Sequence, residues 1–107
     1  MLNTLPEIAE QFISATKEKR SAMVKKLTSG KDEDARRLLR EEAIAILNGI
    51  EAVAYASMRR NDEVQTFIIS PLLNDIAILR VHLYDRSAPV KMILEHLAIV
   101  TPNNLVY

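Results

Sequence analysis

The chain has 107 residues, enough for one domain with a real core and too few for two. Nearly half are apolar, only 5% are aromatic and there are two glycines, a balance that favours helix and disfavours a turn-rich all-β fold. Fourteen basic residues balance fourteen acidic ones and cysteine is absent, which removes any overall field for polyanions or membranes and any disulfide or thiolate metal site.

The first segment opens on Thr4-Leu5-Pro6-Glu7, where Thr4 is the expected cap, Glu7 can reach back and Pro6 is tolerated in the first turn. Leu5, Ile8, Ala9, Phe12, Ile13, Met23, Val24 and Leu27 recur at helical spacing. Lys17-Glu18-Lys19-Arg20 interrupts that stripe. One helix of about six turns is expected, the alternative being two short ones meeting near Ser21. Thr28-Ser29-Gly30 should end it, with Gly30 in the left-handed conformation.

Asp32 then caps the central helix, with Glu33 and Asp34 in its first turn and Arg59, Arg60 and Asn61 at its far end. It should run to about Arg60, a rod of roughly 40 Å. Ala35, Leu38, Leu39, Ala43, Ile46, Leu47, Ile50, Val53 and Ala54 form its core face. Beside them Ala45, Gly49, Ala52 and Ala56 make a small-residue stripe suited to close approach of another backbone. On the opposite side Ile44, Asn48, Glu51 and Tyr55 form a mixed stripe that either a second chain or another helix of this chain should cover.

The third helix begins at Asp62, and Ser70-Pro71 predicts a kink or a restart with Ser70 as cap; a strand over residues 64–70 is the competing reading. Val64, Phe67, Ile68, Leu72, Ile76, Leu79 and Leu83 line one face, widened by Ile69, Leu73, Ile78 and Val81. After a turn at Tyr84-Asp85-Arg86-Ser87, Ser87 caps a last helix from Ala88 to about Val100, buried through Val90, Ile93, Leu94 and Leu97. Thr101-Pro102-Asn103-Asn104 terminates it, and the apolar tail Leu105-Val106-Tyr107 either packs back on the body or docks on a partner.

These segments predict an all-α fold: one domain over residues 1–107, an antiparallel bundle of about four helices built on the long second one, with 101–107 as a tail. The apolar surplus on the second and third helices predicts a homodimer formed through the central helix. No signal-peptide pattern opens the chain and its longest apolar stretch, Ala43–Met58, is too short for a bilayer and carries Glu51, so no membrane span and a cytoplasmic location are expected.

Chemistry is sparse in the sequence. There is no glycine-rich phosphate loop and no nucleophile elbow. His82 and His96 are the only imidazoles and would bind a metal only if their segments converged. Residues 76–97 can be read as a helix-turn-helix with Arg80, His82, Arg86 and Lys91 on phosphates, although the second helix offers only Lys91 as a basic group.

Ile46-Leu47-Asn48-Gly49-Ile50-Glu51-Ala52-Val53-Ala54, followed by Asp62-Glu63, resembles the Leu-Asn-x-x-Glu-x-x-Ala pattern of uncharacterised helical proteins of bacteria and prophages, over about residues 40–84. Those relatives often carry an N-terminal membrane anchor, which is not expected here, and have no assigned activity. The resemblance implies that Asn48 and Glu51 form a polar pair inside the bundle. The expectation is therefore a non-enzymatic interaction protein without cofactor or metal, acting on an unidentified protein partner. Its contact residues would be Ile44, Asn48, Glu51, Tyr55, Leu105, Val106 and Tyr107. The alternative is a DNA-binding regulator using residues 76–97.

Overall fold

A computed structural model describes residues 5–59, 63–85, 87, 89–103 and 105. The expectations placed on Thr4, Arg60, Asn61, Asp62, Arg86, Ala88, Asn104, Val106 and Tyr107, and on the side chain of Val64, lie outside the described residues. Within them the chain forms α1 (Glu7–Ser14), α2 (Lys17–Leu27), α3 (Glu33–Met58), α4 (Glu63–Leu83) and α5 (Val90–Val100). The fold is all-α, and among the described residues there is no strand.

The central helix α3 starts where its cap predicts: the Ala35 N–H donates to Asp32 Oδ1 at 2.7 Å, with Glu33 and Asp34 behind it at the positive end of the dipole. Its 26 residues span about 39 Å and set the long axis of a body measuring 45 × 25 × 24 Å. Ala43, Ile46, Leu47, Ile50, Val53 and Ala54 are buried as their spacing requires, whereas Leu38, read as core, is exposed near the amino end of α3. α3 packs against α1, α4 and α5, and α2 packs against α5. The small-residue stripe explains the first of these contacts. A Cβ built on Gly49 would lie 2.5 Å from the Ala9 Cβ, so α1 crosses α3 at a distance that a side chain at 49 would forbid.

The first segment is two helices, and they part at Ala15 and Thr16 rather than near Ser21. Ser14 turns its hydroxyl back to the Glu10 carbonyl at 2.9 Å, Ala15 is extended, and Thr16 caps α2 by accepting from the Lys19 N–H. The apolar spacing on either side of Thr16 suggested continuity, and the break was not foreseen at this residue. At the other end of α2, Thr28 and Ser29 hydroxyls donate to the Val24 and Lys26 carbonyls at 2.7 and 2.8 Å. Gly30 is not left-handed, as had been expected; it lies against Ala35, whose Cβ would be 2.5 Å from a Cβ at 30.

The break between α1 and α2 brings Arg20 back under α1, and this side chain, expected in a solvated run, is fully buried. Its Nε donates to the Phe12 carbonyl at 2.8 Å and one terminal nitrogen to Ile13 at 2.9 Å; the other reaches Thr101 at 2.7 Å and Ala98 at 3.3 Å. All four acceptors lie in the last turns or caps of α1 and α5, which point negative dipole ends at the guanidinium. The helical partner of the Ala98 carbonyl would be the N–H of residue 102, and that residue is proline. Burial pushes the guanidinium pKa down, and the four carbonyls replace the water it has lost. The ring of Phe12 lies 5.5 Å below it.

α4 passes through Pro71 without the restart expected at Ser70. Pro71 stands on the solvent side with Phe67 one turn before it, so the carbonyl that loses its N–H partner faces water. Pro89, rather than Ser87, precedes α5, and no side chain caps that helix. Ser87 instead donates through both its N–H and its hydroxyl to Asp85 Oδ1 at 3.0 Å, which holds the Asp85 carboxyl below its ordinary pKa. Arg40 anchors the same turn from α3, donating to the carbonyls of Leu83 and Asp85. Val90, Ile93, Leu94 and Leu97 are buried as predicted. Beyond α5, Leu105 packs back into the core.

Candidate interaction surface

Arg80 fixes the rotation of α4 against α3. Its guanidinium donates to both carboxylate oxygens of Glu51, at 2.8 and 3.0 Å, and to the side-chain carbonyl of Asn48 at 2.7 Å. Asn48 and Glu51 lie three residues apart on one face of α3, so a single planar fork spans both. The hydrogen bonds to Glu51, with its charge beside them, outweigh partial burial and raise the Arg80 pKa. The acid in the most apolar stretch is thus a half-buried partner of an arginine from the next helix. Because both charged side chains keep about 30% of their surface in water, the pair should contribute modestly. A double-mutant cycle on Glu51→Gln and Arg80→Met should return a coupling energy of about 1 kcal/mol in urea denaturation, and no coupling would mean that the fork is unformed in solution.

Of the stripe assigned to contact, Ile44 is half-buried against the core, Asn48 and Glu51 hold Arg80, and Tyr55 stays exposed. α4 therefore covers part of this stripe. Leu105 is unavailable at the surface because it is buried.

Once Arg80 faces α3, the rest of α4 follows from the helical repeat. Ile69, Leu72, Ile76 and Leu83 point inward and are buried. Phe67, Pro71, Asn74, Ile78 and Val81 fall together on the opposite side, flanked by Ser70, Ala77 and Tyr84. Phe67 is 83% exposed, Val81 73%, Tyr84 65% and Ile78 52%. No charged residue interrupts this face. Of the apolar surplus expected on the second and third helices, most of the exposed part sits here, although Phe67, Ile78 and Val81 had been grouped on one face with Leu72, Ile76 and Leu83, which are buried. The sequence hid this because α4 is apolar on both sides, and only the partner of Arg80 reveals which side is out. By length and composition alone its window Thr66–Leu83, with a mean hydropathy of 1.3, could cross a membrane, unlike Ala43–Met58.

The other side of α4 meets α5 in a groove of about 260 Å³ lined by Leu79, His82, Pro89, Met92, Ile93 and His96. The two histidines do share this groove, and His96 Nε2 lies 3.5 Å from Asp75 Oδ2. Among the described residues no three His, Asp or Glu side chains are placed to hold a metal ion. Of the cations assigned to phosphate contact, Arg80 is taken by Glu51 while His82 and Lys91 are exposed. Comparison with protein-family models, with curated proteins and with solved structures found no match.

Proposed function

We propose that the chain is a non-enzymatic helical interaction protein of the cytoplasm. It assembles as a homo-oligomer through the outer face of α4, with Tyr55 of α3 at its border. The observation that carries this reading is the row of exposed apolar side chains at Phe67, Ile78, Val81 and Tyr84, uninterrupted by charge. At roughly 150–250 Å² for an aromatic side chain and somewhat less for an aliphatic one, their exposed fractions leave on the order of 500 Å² of apolar surface, near the upper end of what a monomer normally carries. An antiparallel bundle underlies the proposal. Arg40 reaching Leu83 while Glu51 reaches Arg80 supports opposite directions for α3 and α4. The resemblance to the bacterial and prophage helical proteins implied a polar pair of Asn48 and Glu51 inside the bundle; the two instead share Arg80, with Asn48 exposed.

Sedimentation velocity tests the reading. The wild-type chain should associate at tens of micromolar, and Val81→Glu should raise the dissociation constant at least tenfold, about 1.4 kcal/mol, with helical content unchanged. A wild-type chain that stays monomeric at several hundred micromolar overturns it.

A further inference from the structure

Phe67, Pro71, Asn74, Ile78 and Val81 are separated by four, three, four and three residues, the 3.5-residue rhythm that lets two helices pack along a continuous seam. Asn74 is the only amide in that row and sits at its midpoint, seven residues from Phe67 and seven from Val81. We propose that the occupant of this face is a second copy of the chain, with the two α4 helices packed antiparallel and Asn74 on the two-fold axis. This rests on the self-association proposed above and adds its direction and register.

The midpoint position is what an isologous contact requires. On a two-fold axis a side chain meets only itself, and a carboxylate or an ammonium would meet its own charge there. A carboxamide is both donor and acceptor, so two of them exchange N–H···O bonds across the axis and leave nothing unpaired. In this register Phe67 meets Val81 of the other copy, large against small, and Pro71 meets Ala77. Slipping the helices by one turn would set each amide against Ala77 and Ile78 in one direction and against Ser70 and Pro71 in the other, and either slip forfeits the paired amides, so the same residue that permits the pairing also favours its register. The area agrees. The four apolar side chains together with Ser70, Pro71, Asn74 and Ala77 approach the roughly 800 Å² per partner of a standard interface. A lipid surface fits less well. Interfacial helices carry lysines and arginines beside their apolar face, whereas the only arginine between Thr66 and Leu83 is held by Glu51.

The absence of native cysteine makes the geometry directly readable. Asn74→Cys, Phe67→Cys and Val81→Cys each replace an exposed side chain, and circular dichroism checks that the fold survives. Under mild oxidation Asn74→Cys should convert to a disulfide-linked dimer. Phe67→Cys and Val81→Cys should each remain largely uncrosslinked alone, because their own copies would be about 21 Å apart along the seam, far beyond the reach of a disulfide. An equimolar mixture of those two should crosslink at least tenfold faster than either alone. Self-crosslinking of Phe67→Cys faster than of Asn74→Cys would mean a parallel or shifted pairing, which overturns the inference and leaves self-association standing. Monomeric behaviour in sedimentation with no crosslinking defeats both. Flotation of the wild-type chain with phosphatidylcholine vesicles, abolished by Val81→Glu, would assign the face to lipid instead.

Discussion

Replacing Arg20 by leucine should lower the stability of the fold by about 4 kcal/mol, read as a fall in the urea midpoint with the slope unchanged. The substitution leaves an apolar side chain where a fully buried guanidinium now donates to the carbonyls of Phe12, Ile13, Ala98 and Thr101. A buried carbonyl without a donor costs about 1–3 kcal/mol, and four are affected. The lower part of the summed range is the better guide, because Phe12 also accepts from the Ala15 N–H and the ends of α1 and α5 can open to admit water. Two effects oppose this loss: leucine is better tolerated in an apolar interior, and the desolvation of the guanidinium disappears. Both are smaller than four orphaned acceptors. Arg20→Lys should fall between, since a compact ammonium has three donors and cannot form the planar fork that spans two helix ends. A leucine variant within 1 kcal/mol of wild type would show that the four bonds do not form in solution.

At the crossing of α1 and α3, Gly49→Leu should cost about 3 kcal/mol. The Cβ alone would come 2.5 Å from the Ala9 Cβ, and both atoms are mounted on helical backbones, so relief requires moving α1 as a whole. Moving α1 loosens Phe12 and Ile13, which are buried by the same contact. Gly49→Ala sets two terms against each other. Alanine gains about 1 kcal/mol of helix propensity, and the clash costs about 1–3 kcal/mol, so the net should still be a loss. Adding Ala9→Gly to Gly49→Ala moves one methyl from one side of the crossing to the other and should restore most of the stability. Thermal midpoints of the wild type, Gly49→Ala, Ala9→Gly and the double variant measure this coupling. If Gly49→Ala proves more stable than wild type, the helices are not that close.

Most of the skeleton was legible in the residues. Asp32 as cap, α3 as one rod, the buried row on α5 and the close approach at Gly49 all follow from short-range rules that need no knowledge of neighbours. What escaped depends on distant parts of the chain. Lys17-Glu18-Lys19-Arg20 reads as a solvated run because nothing local says that Arg20 finds carbonyls on α5. The break after Ser14 is favoured by Thr16 as a cap and also brings Arg20 to the end of α1, so a pattern of apolar residues alone could not locate it. The rotation of α4 was similarly hidden. A helix apolar all round has no amphipathic signal, and Phe67, Ile78 and Val81 were grouped with Leu72, Ile76 and Leu83 until the pairing of Arg80 with Glu51 separated the exposed set from the buried one. Asn48, Glu51 and Tyr55 stand out in the sequence as polar groups in an apolar helix; the first two hold Arg80 within the chain, while Tyr55 and part of Asn48 remain exposed.

Arg20 joins groups 78 and 81 positions away in sequence. During synthesis its acceptors on α5 do not exist until Ala98 and Thr101 have been added, so α2 must wait with a hydrated cation where its finished contact belongs. A chain released before Thr101 would therefore leave α1 and α2 unlatched from α5, with the apolar faces they cover open to misassembly.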